Sequence, residues 1–204
     1  NVAEADDAER ERRRLAMHEP YRTLLGHFRH EVGHYYWDVL IAGAPRLGAF
    51  RELYGDERAD YAQALERHYQ EGAPPDWSQR FISAYASAHP WEDWAETWAH
   101  YVHMVDALET AASYGLALRP RRADQPALET DPHRGLPGTF ERMLEDWLPL
   151  TFVLNDLNRG LGLPDGYPFV LSEQQIAKLR FVHETVAAAA VAALPKPPPE
   201  AEAG

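Results

Sequence analysis

Two histidines and a glutamate are the residues of this sequence with the clearest capacity for chemistry. They stand in the stretch His30-Glu31-Val32-Gly33-His34. Residues four apart in an α-helix lie one turn apart on the same side, so two imidazoles can reach one metal ion. Zinc accepts imidazole nitrogen, and a glutamate beside the ion can take a proton from a water whose pKa the metal lowers. The spacing predicts His30 and His34 as zinc ligands and Glu31 as the general base of a hydrolase.

The segment around these residues has the amphipathic pattern of a helix. At about 100° per residue, His30, His34 and Glu31 fall in one wedge of the helical projection. His27 and Asp38 fall in the same wedge, and we interpret both as packing or supporting residues rather than ligands. The opposite side is apolar and holds Leu24, Leu25, Phe28, Val32, Tyr36, Val39 and Leu40. The segment therefore has the form that a metal-binding helix requires.

A catalytic zinc site normally has three protein ligands, and we expect the third on a second helix, over residues 91–114. Glu92 and Glu96 project within about 40° of each other there, whereas Trp94 and Trp98 lie on the opposite side as an aromatic anchor. One carboxylate can bind zinc while the other hydrogen-bonds a ligand histidine. Glu92 is the preferred third ligand. The alternatives that the pattern leaves open are Asp93, Glu96 and His100.

The composition limits the classes of function. The 204 residues carry a net charge of -12 and no cysteine. Such an acidic chain disfavours nucleic acid and anionic membranes, since both bind clustered Lys and Arg. Without cysteine, disulfides and thiolate metal sites are excluded, so any metal must bind His, Asp or Glu. No apolar run reaches the roughly 20 residues that cross a bilayer, and the charged start lacks a signal core. We expect a cytoplasmic protein.

Cap and turn signals predict a mainly α fold. The predicted helices cover residues 4–18, 21–41, 56–70, 77–88, 91–114, 139–159 and 172–194. Residues 116–138 contain four prolines and predict a loop, and a short strand at 167–171 is the only β element expected. We therefore predict one mainly α catalytic domain over residues 1–194, followed by a disordered tail at 195–204.

Together these residues resemble the gluzincins, zinc peptidases that combine HExxH with a distant glutamate ligand, such as thermolysin and anthrax lethal factor. The closer resemblance is to a bacterial family of zinc-binding metallopeptidases, whose members often carry an N-terminal zinc ribbon. It extends over residues 5–186 and is carried by residues 20–37, 54–61, 89–101, 154–162 and 167–171. The Cys-rich ribbon and the small sheet that usually precedes the gluzincin helix are absent. The resemblance thus implies a zincin-like catalytic domain that acts on a peptide or protein substrate and forms the C-terminal part of a longer protein.

The resemblance also implies roles for individual residues. Glu92-Asp-Trp-Ala-Glu96 is similar to the Glu-Phe-Phe-Ala-Glu of lethal factor, whose first glutamate binds zinc. In that pattern a tyrosine seven residues earlier stabilises the oxyanion, and the matching position is Tyr85, with His89 as the alternative donor. Glu96 is then the carboxylate that supports a ligand histidine. The implied zinc ligands, one ion per chain, are His30, His34 and Glu92.

These observations predict a zinc-dependent metallopeptidase. Glu31 would take a proton from the metal-activated water, which attacks the peptide carbonyl, and Tyr85 would donate a hydrogen bond to the oxyanion. The alternative is a structural or protein-interaction domain in which zinc ties two helices together without turnover. A third and weaker hypothesis is an acidic helical scaffold that binds no metal.

Overall fold

The computed structural model describes residues 23–130 and 138–193, together with Asp6 and Arg12. In these parts the chain forms seven α-helices, one 3₁₀-helix and a hairpin of two short strands, so the prediction of a mainly α fold is confirmed. The α-helices are α1 (Leu24–Leu40), α2 (Leu47–Tyr54), α3 (Tyr61–Glu71), α4 (Trp77–Arg80), α5 (Pro90–Ser113), α6 (Phe140–Gly160) and α7 (Glu173–Ala193).

The remaining elements are short. The 3₁₀-helix, Tyr85–Ala88, lies just before α5, and strand β1 (Ala117–Leu118) pairs antiparallel with β2 (Leu128–Glu129). Within the described parts of the chain, none of the helices combines the length and apolarity needed to span a bilayer. Apart from Asp6 and Arg12, the helix predicted at residues 4–18 lies outside the described residues, as does the tail predicted at 195–204.

Helix α5 is the centre of the fold. Helices α1, α2, α6 and α7 and the 3₁₀-helix all pack on it. Trp94 and Met104 on α5 are fully buried, and Trp94 packs against Phe50 of α2 and Phe181 of α7. The aromatic anchor predicted for this helix therefore holds α5 in the core, and its N-terminal half has a fixed position relative to α1.

The helices α1 and α5 cross in close contact at Gly33. A Cβ atom at this position would lie 3.0 Å from the Cα atom of Ala95 and 3.2 Å from Trp98 side-chain atoms, which is closer than most Cβ contacts in folded proteins. The indole nitrogen of Trp94 donates a hydrogen bond of 2.9 Å to the Gly33 carbonyl. Glycine thus lets the two backbones approach each other at the level of the predicted ligands.

Helix α1 packs mainly through the side that carries its histidines, although Tyr36 and Leu40 of the predicted apolar face also contact the core. His30, Gly33 and Trp37 are buried. The exposed apolar residues of α1 are Leu24, Leu25, Phe28, Tyr35 and Val39. The periodicity predicted the helix correctly, but it carried no information about which of the two faces would contact α5.

The helix predicted at residues 77–88 is wrong, because α4 ends at Arg80 and Phe81 has an extended backbone. Side chains of α7 bind the carbonyl groups of this segment. Gln175 donates to the carbonyls of Ser78 and Phe81, and Lys178 donates to that of Arg80. These tertiary bonds compete with helical hydrogen bonds, so the chain leaves the helix and restarts as the 3₁₀-helix.

Three other local predictions also need correction. The strand expected at 167–171 does not form, because the side chain of Asn155 bonds both the N–H and the carbonyl of Tyr167, at 2.9 and 2.7 Å. Helix α3 begins at Tyr61 rather than at Asp56, since Asp60 caps it by accepting from the Gln63 N–H. Helix α2 and the short hairpin within the predicted loop were not expected.

Candidate metal centre

One nitrogen from each of two histidines and one carboxylate oxygen converge between α1 and α5. His30 Nε2 lies 3.1 Å from His34 Nε2 and 3.0 Å from Glu92 Oε2. His34 Nε2 lies 3.6 Å from the same oxygen. Ligands about 2.0–2.1 Å from a tetrahedral zinc ion are about 3.3 Å apart. Among the described residues, this set is the one group of three whose atoms could hold a metal ion.

The local chemistry also fits a cation. Glu92 is buried with 1% of its surface exposed, and its Oε2 atom has no hydrogen-bond partner. Burial alone would raise the pKa of Glu92, but the imidazoles of His30 and His34 and the hydroxyl of Tyr61 hold it well below its usual range. A buried carboxylate oxygen that stays ionised and faces two imidazole nitrogens matches the two-histidine, one-carboxylate ligand set of catalytic zinc.

Glu96 orients His30 through the ring nitrogen that does not face the other ligands. Its Oε1 atom lies 2.6 Å from His30 Nδ1, and the hydroxyl of Ser83 donates to Oε2 at 2.6 Å. Burial would raise the pKa of Glu96, but His30 and Ser83 lower it to about 2. Burial would likewise lower the pKa of His30, whereas Glu92 and Glu96 raise it to about 10. With Nδ1 engaged by Glu96, His30 presents Nε2 to the centre.

Tyr61, the first residue of α3, contacts the other side of Glu92. Its hydroxyl donates a hydrogen bond of 2.5 Å to Glu92 Oε1. Burial and the neighbouring carboxylate both raise the pKa of Tyr61, so the hydroxyl keeps its proton. Sequence reasoning missed Tyr61 and Ser83, because neither belongs to the two helical patterns. Their positions depend on tertiary contacts rather than on spacing.

Glu31 follows the ligand His30 on α1 and is exposed to solvent. Its side chain is 59% exposed, and one of its oxygens lies 3.4 Å from His27 Nε2 on the preceding turn. The His27 ring in turn stacks on that of His30. His27 is therefore a neighbour of the predicted base, while Asp38 is exposed to solvent. A base in this position can meet water and substrate that enter from the solvent.

Tyr85 of the 3₁₀-helix lies beside the ligands. Its ring centre is 6.0 Å from that of His30 and 5.8 Å from that of His68 on α3. Burial, with the charge of Glu92, raises the pKa of Tyr85, so its hydroxyl remains a donor. Burial lowers the pKa of His68. No partner for His68 could be predicted from spacing, because α3 and the 3₁₀-helix meet only in the folded chain.

The other third-ligand candidates point elsewhere. Asp93 is fully buried and contacts Lys178 of α7, with Oδ2 2.5 Å from the ammonium nitrogen. His100 is buried, and its Nδ1 lies 2.9 Å from the hydroxyl of Tyr167. Of the four candidates, all of which lie in the described part of the chain, only Glu92 reaches the Nε2 atoms of both histidines. Glu96 instead contacts Nδ1 of His30.

Four further histidines were considered from the sequence. Both ring nitrogens of His89 are engaged, since Nδ1 accepts from the Trp91 N–H at 3.1 Å and Nε2 lies 3.1 Å from the carbonyl of Ala59. His89 therefore braces the start of α5 instead of facing the centre as an oxyanion donor. His183 contacts Tyr101, and His18 and His133 lie outside the described residues.

The sequence matches a family model described as "Putative zinc-binding metallo-peptidase" over residues 1–185. The chain belongs to this family. The bacterial family inferred above from the sequence stretches is thereby confirmed at the level of the family. The family description concerns zinc binding and peptidase chemistry, and the three converging donors are the residues of this member that suit such a metal.

Curated relatives come from mycobacteria. The chain is 51% identical over 187 residues to uncharacterized proteins of Mycobacterium bovis and of two Mycobacterium tuberculosis strains. The match covers 91% of this chain and 53% of each relative, so the chain spans about half the length of the curated relatives it matches. No solved structure matches it significantly.

Proposed function

We propose that this chain is the catalytic part of a zinc-dependent metallopeptidase. The observation that carries the proposal is the convergence of His30 Nε2, His34 Nε2 and the unpartnered Glu92 Oε2 within 3.0–3.6 Å of one another. These residues would hold the ion, and Glu96 and Tyr61 would orient them. A zinc ion there would supply a Lewis acid that lowers the pKa of a water and polarises a carbonyl.

Glu31 and Tyr85 then have different roles in peptide hydrolysis. A carboxylate oxygen of Glu31 accepts a proton from the attacking water and passes it to the nitrogen of the leaving amine. The hydroxyl of Tyr85 donates a hydrogen bond to the carbonyl oxygen as negative charge develops on it. Glu31 is exposed and therefore meets the substrate, whereas Glu92 is buried and is kept from water.

Glu31→Gln tests this proposal. The zinc-loaded full chain is incubated with a mixture of peptides of varied sequence, and new termini are detected by mass spectrometry. Glutamine keeps the size of the side chain but cannot accept the proton, so we expect the hydrolysis rate to fall by about 10²–10⁴-fold with unchanged zinc content. Glu52→Gln, an exposed substitution of the same type on α2, should leave the rate unchanged. Equal rates for Glu31→Gln and the parent chain would contradict the mechanism.

The same samples test the alternative of a structural zinc site. A chain that binds zinc, cleaves no peptide in the mixture and unfolds when zinc is removed would support a domain in which the metal ties α1 to α5. A chain that stays folded after chelation but loses peptide cleavage would support the peptidase. The close Gly33 contact already joins these two helices without a metal, which favours the second outcome.

A further inference from the structure

We propose that Tyr61 is a positioning residue that fixes which oxygen of Glu92 faces the metal, an inference that rests on the proposed zinc site. A carboxylate has two equivalent oxygens and can turn about its terminal bond, so an unrestrained glutamate can offer either oxygen or both. In this structure the two oxygens of Glu92 have different surroundings. The Tyr61 hydroxyl donates to Oε1 at 2.5 Å, whereas Oε2 has no hydrogen-bond partner and faces the imidazoles.

Tyr61 is itself held in place by buried groups. Its ring meets that of His89 edge-on, with ring centres 5.2 Å apart, and lies 5.8 Å from that of Trp91. His89 is buried and bonds both the start of α5 and the carbonyl of Ala59, two residues before Tyr61. His89 therefore contacts both the segment that leads to Tyr61 and the start of the helix that carries Glu92.

Helix α3 lies at the surface and is only partly covered. None of its residues is buried, and Tyr61 is 36% exposed and Tyr69 65% exposed. Asp60 caps the helix by accepting the Gln63 N–H at 3.0 Å, which fixes the backbone next to Tyr61. The cap and the hydrogen bond from Tyr61 to Glu92 together fix the start of this surface helix.

This contact has two consequences for metal binding. The hydroxyl occupies Oε1, so Glu92 offers a single oxygen and the centre keeps room for water and substrate. Donation to a ligand carboxylate also fixes its orientation in advance, so less freedom is lost when the ion binds. Outer partners of this kind typically change metal affinity by about 10–100-fold when they are removed.

Tyr61→Phe in the full chain tests the role, with Tyr69→Phe as the matched control on the same helix. Zinc affinity is measured by competition with a chromophoric chelator, and the visible absorption of the cobalt-loaded chain reports the ligand geometry. We expect Tyr61→Phe to bind zinc about tenfold to a hundredfold more weakly and to show an altered cobalt spectrum. Tyr69→Phe should match the parent chain in both measurements, because its hydroxyl is not on a metal ligand.

The outcomes separate this inference from the proposed site itself. Unchanged affinity and an unchanged cobalt spectrum in Tyr61→Phe would overturn the role of Tyr61 while leaving the zinc site intact. A parent chain that binds neither zinc nor cobalt would overturn both. The cobalt spectrum separates this role from a purely structural one, because loss of a hydrogen bond to a buried carboxylate lowers the stability of the metal-free chain in either case. A Tyr61→Phe chain that binds zinc more weakly but keeps the cobalt spectrum of the parent would contradict the inference, because the hydroxyl should act through the orientation of Glu92.

Discussion

Glu92 and Asp93 are neighbours in the sequence, but they lie on two sides of α5 that differ in how charge is compensated. Asp93 faces α7, where the ammonium group of Lys178 lies 2.5 Å from its Oδ2 atom. Glu92 faces α1, where its Oε2 atom meets only imidazole nitrogens and has no hydrogen-bond partner. Both carboxylates are essentially fully buried. The fold places a lysine ammonium against Asp93 and only two imidazoles against Glu92 Oε2.

The difference separates a carboxylate that holds the fold from one that is suited to a ligand. A buried charge is costly unless it is paired. On the α7 side the pair joins α5 to the segment before the 3₁₀-helix, because Lys178 also donates to the Arg80 carbonyl. On the α1 side the proposed partner is a metal ion. Each side should therefore respond to different changes, and four predictions test this division.

The largest effect should come from breaking the pair on the α7 side. Lys178→Met keeps an unbranched side chain that is one atom shorter, and it leaves Asp93 without its cation. Removing one partner of a buried pair typically costs about 3–5 kcal/mol, so we expect a loss of that size in the free energy of unfolding, measured by urea denaturation. The number of zinc ions bound per folded chain should stay the same.

The double variant Asp93→Asn/Lys178→Met provides the control for this prediction. It removes both charges and should recover part of the stability, because no buried charge is left unpaired. A single Lys178→Met variant as stable as the parent chain would show that the Asp93 side does not hold the fold, and the contrast between the two sides would fail.

Zinc should stabilise the chain through Glu92 and not through Asp93. Free zinc at 100 times its dissociation constant adds about 2.7 kcal/mol to the stability of a folded state that alone binds it. We expect Glu92→Gln to lose nearly all of this increment, while Asp93→Asn keeps it on top of a lower starting stability. Thermal unfolding with zinc and with a chelator measures both. If Glu92→Gln keeps the zinc-dependent gain in stability, zinc must bind at a different site.

The sequence could predict the helical part of this centre because helix geometry is local. A spacing of four places His30 with His34, and Glu92 with Glu96, whatever the rest of the chain does. Tyr61 and Ser83 could not be found in this way. They reach the centre only because side chains such as Gln175 hold the segment before the 3₁₀-helix, and because His89 braces the start of α3.

The same limit explains the errors in the local structure. The pattern of α1 predicted an amphipathic helix but could not tell that Phe28 and Val39 would be exposed, because two faces compete for one partner. The sequence pattern at 77–88 predicts a helix, but the side chains of Gln175 and Lys178 donate hydrogen bonds to backbone carbonyls of this segment. Both errors come from contacts between segments roughly a hundred residues apart or from packing choices, which spacing does not encode.

An intermediate effect is expected at Gly33, where α1 meets α5. Gly33→Ala places a Cβ 3.0 Å from the Ala95 backbone, so the helices must separate by a few tenths of an ångström. Overpacking of this kind typically costs about 1–3 kcal/mol, and zinc affinity should fall as well, because His30 and His34 move away from Glu92. Urea denaturation and chelator competition measure the two effects.

Gly48→Ala is the matched control for this substitution. Gly48 lies in α2, and the space that an added Cβ atom would occupy is open, so alanine should raise stability by up to about 1 kcal/mol through its higher helix propensity. It should leave zinc affinity unchanged. If Gly33→Ala behaves like Gly48→Ala, the close approach of the two helices does not set the ligand geometry.

The smallest effect should come from Ser83, which contacts the ligand His30 only through Glu96. Its hydroxyl donates to Glu96 Oε2 at 2.6 Å, and Glu96 in turn orients His30. A hydrogen bond to a charged group contributes about 1.5–3 kcal/mol, but Glu96 keeps its bond to His30 and water can replace part of the loss. We therefore expect Ser83→Ala to weaken zinc binding by only about threefold to tenfold.

Ser87→Ala, four residues on, removes a hydroxyl that bonds the Ala84 carbonyl instead, and it should not change zinc affinity. Equal effects of the two variants would mean that the 3₁₀ segment stabilises the centre through its backbone alone, and Glu96 would then need no support from Ser83.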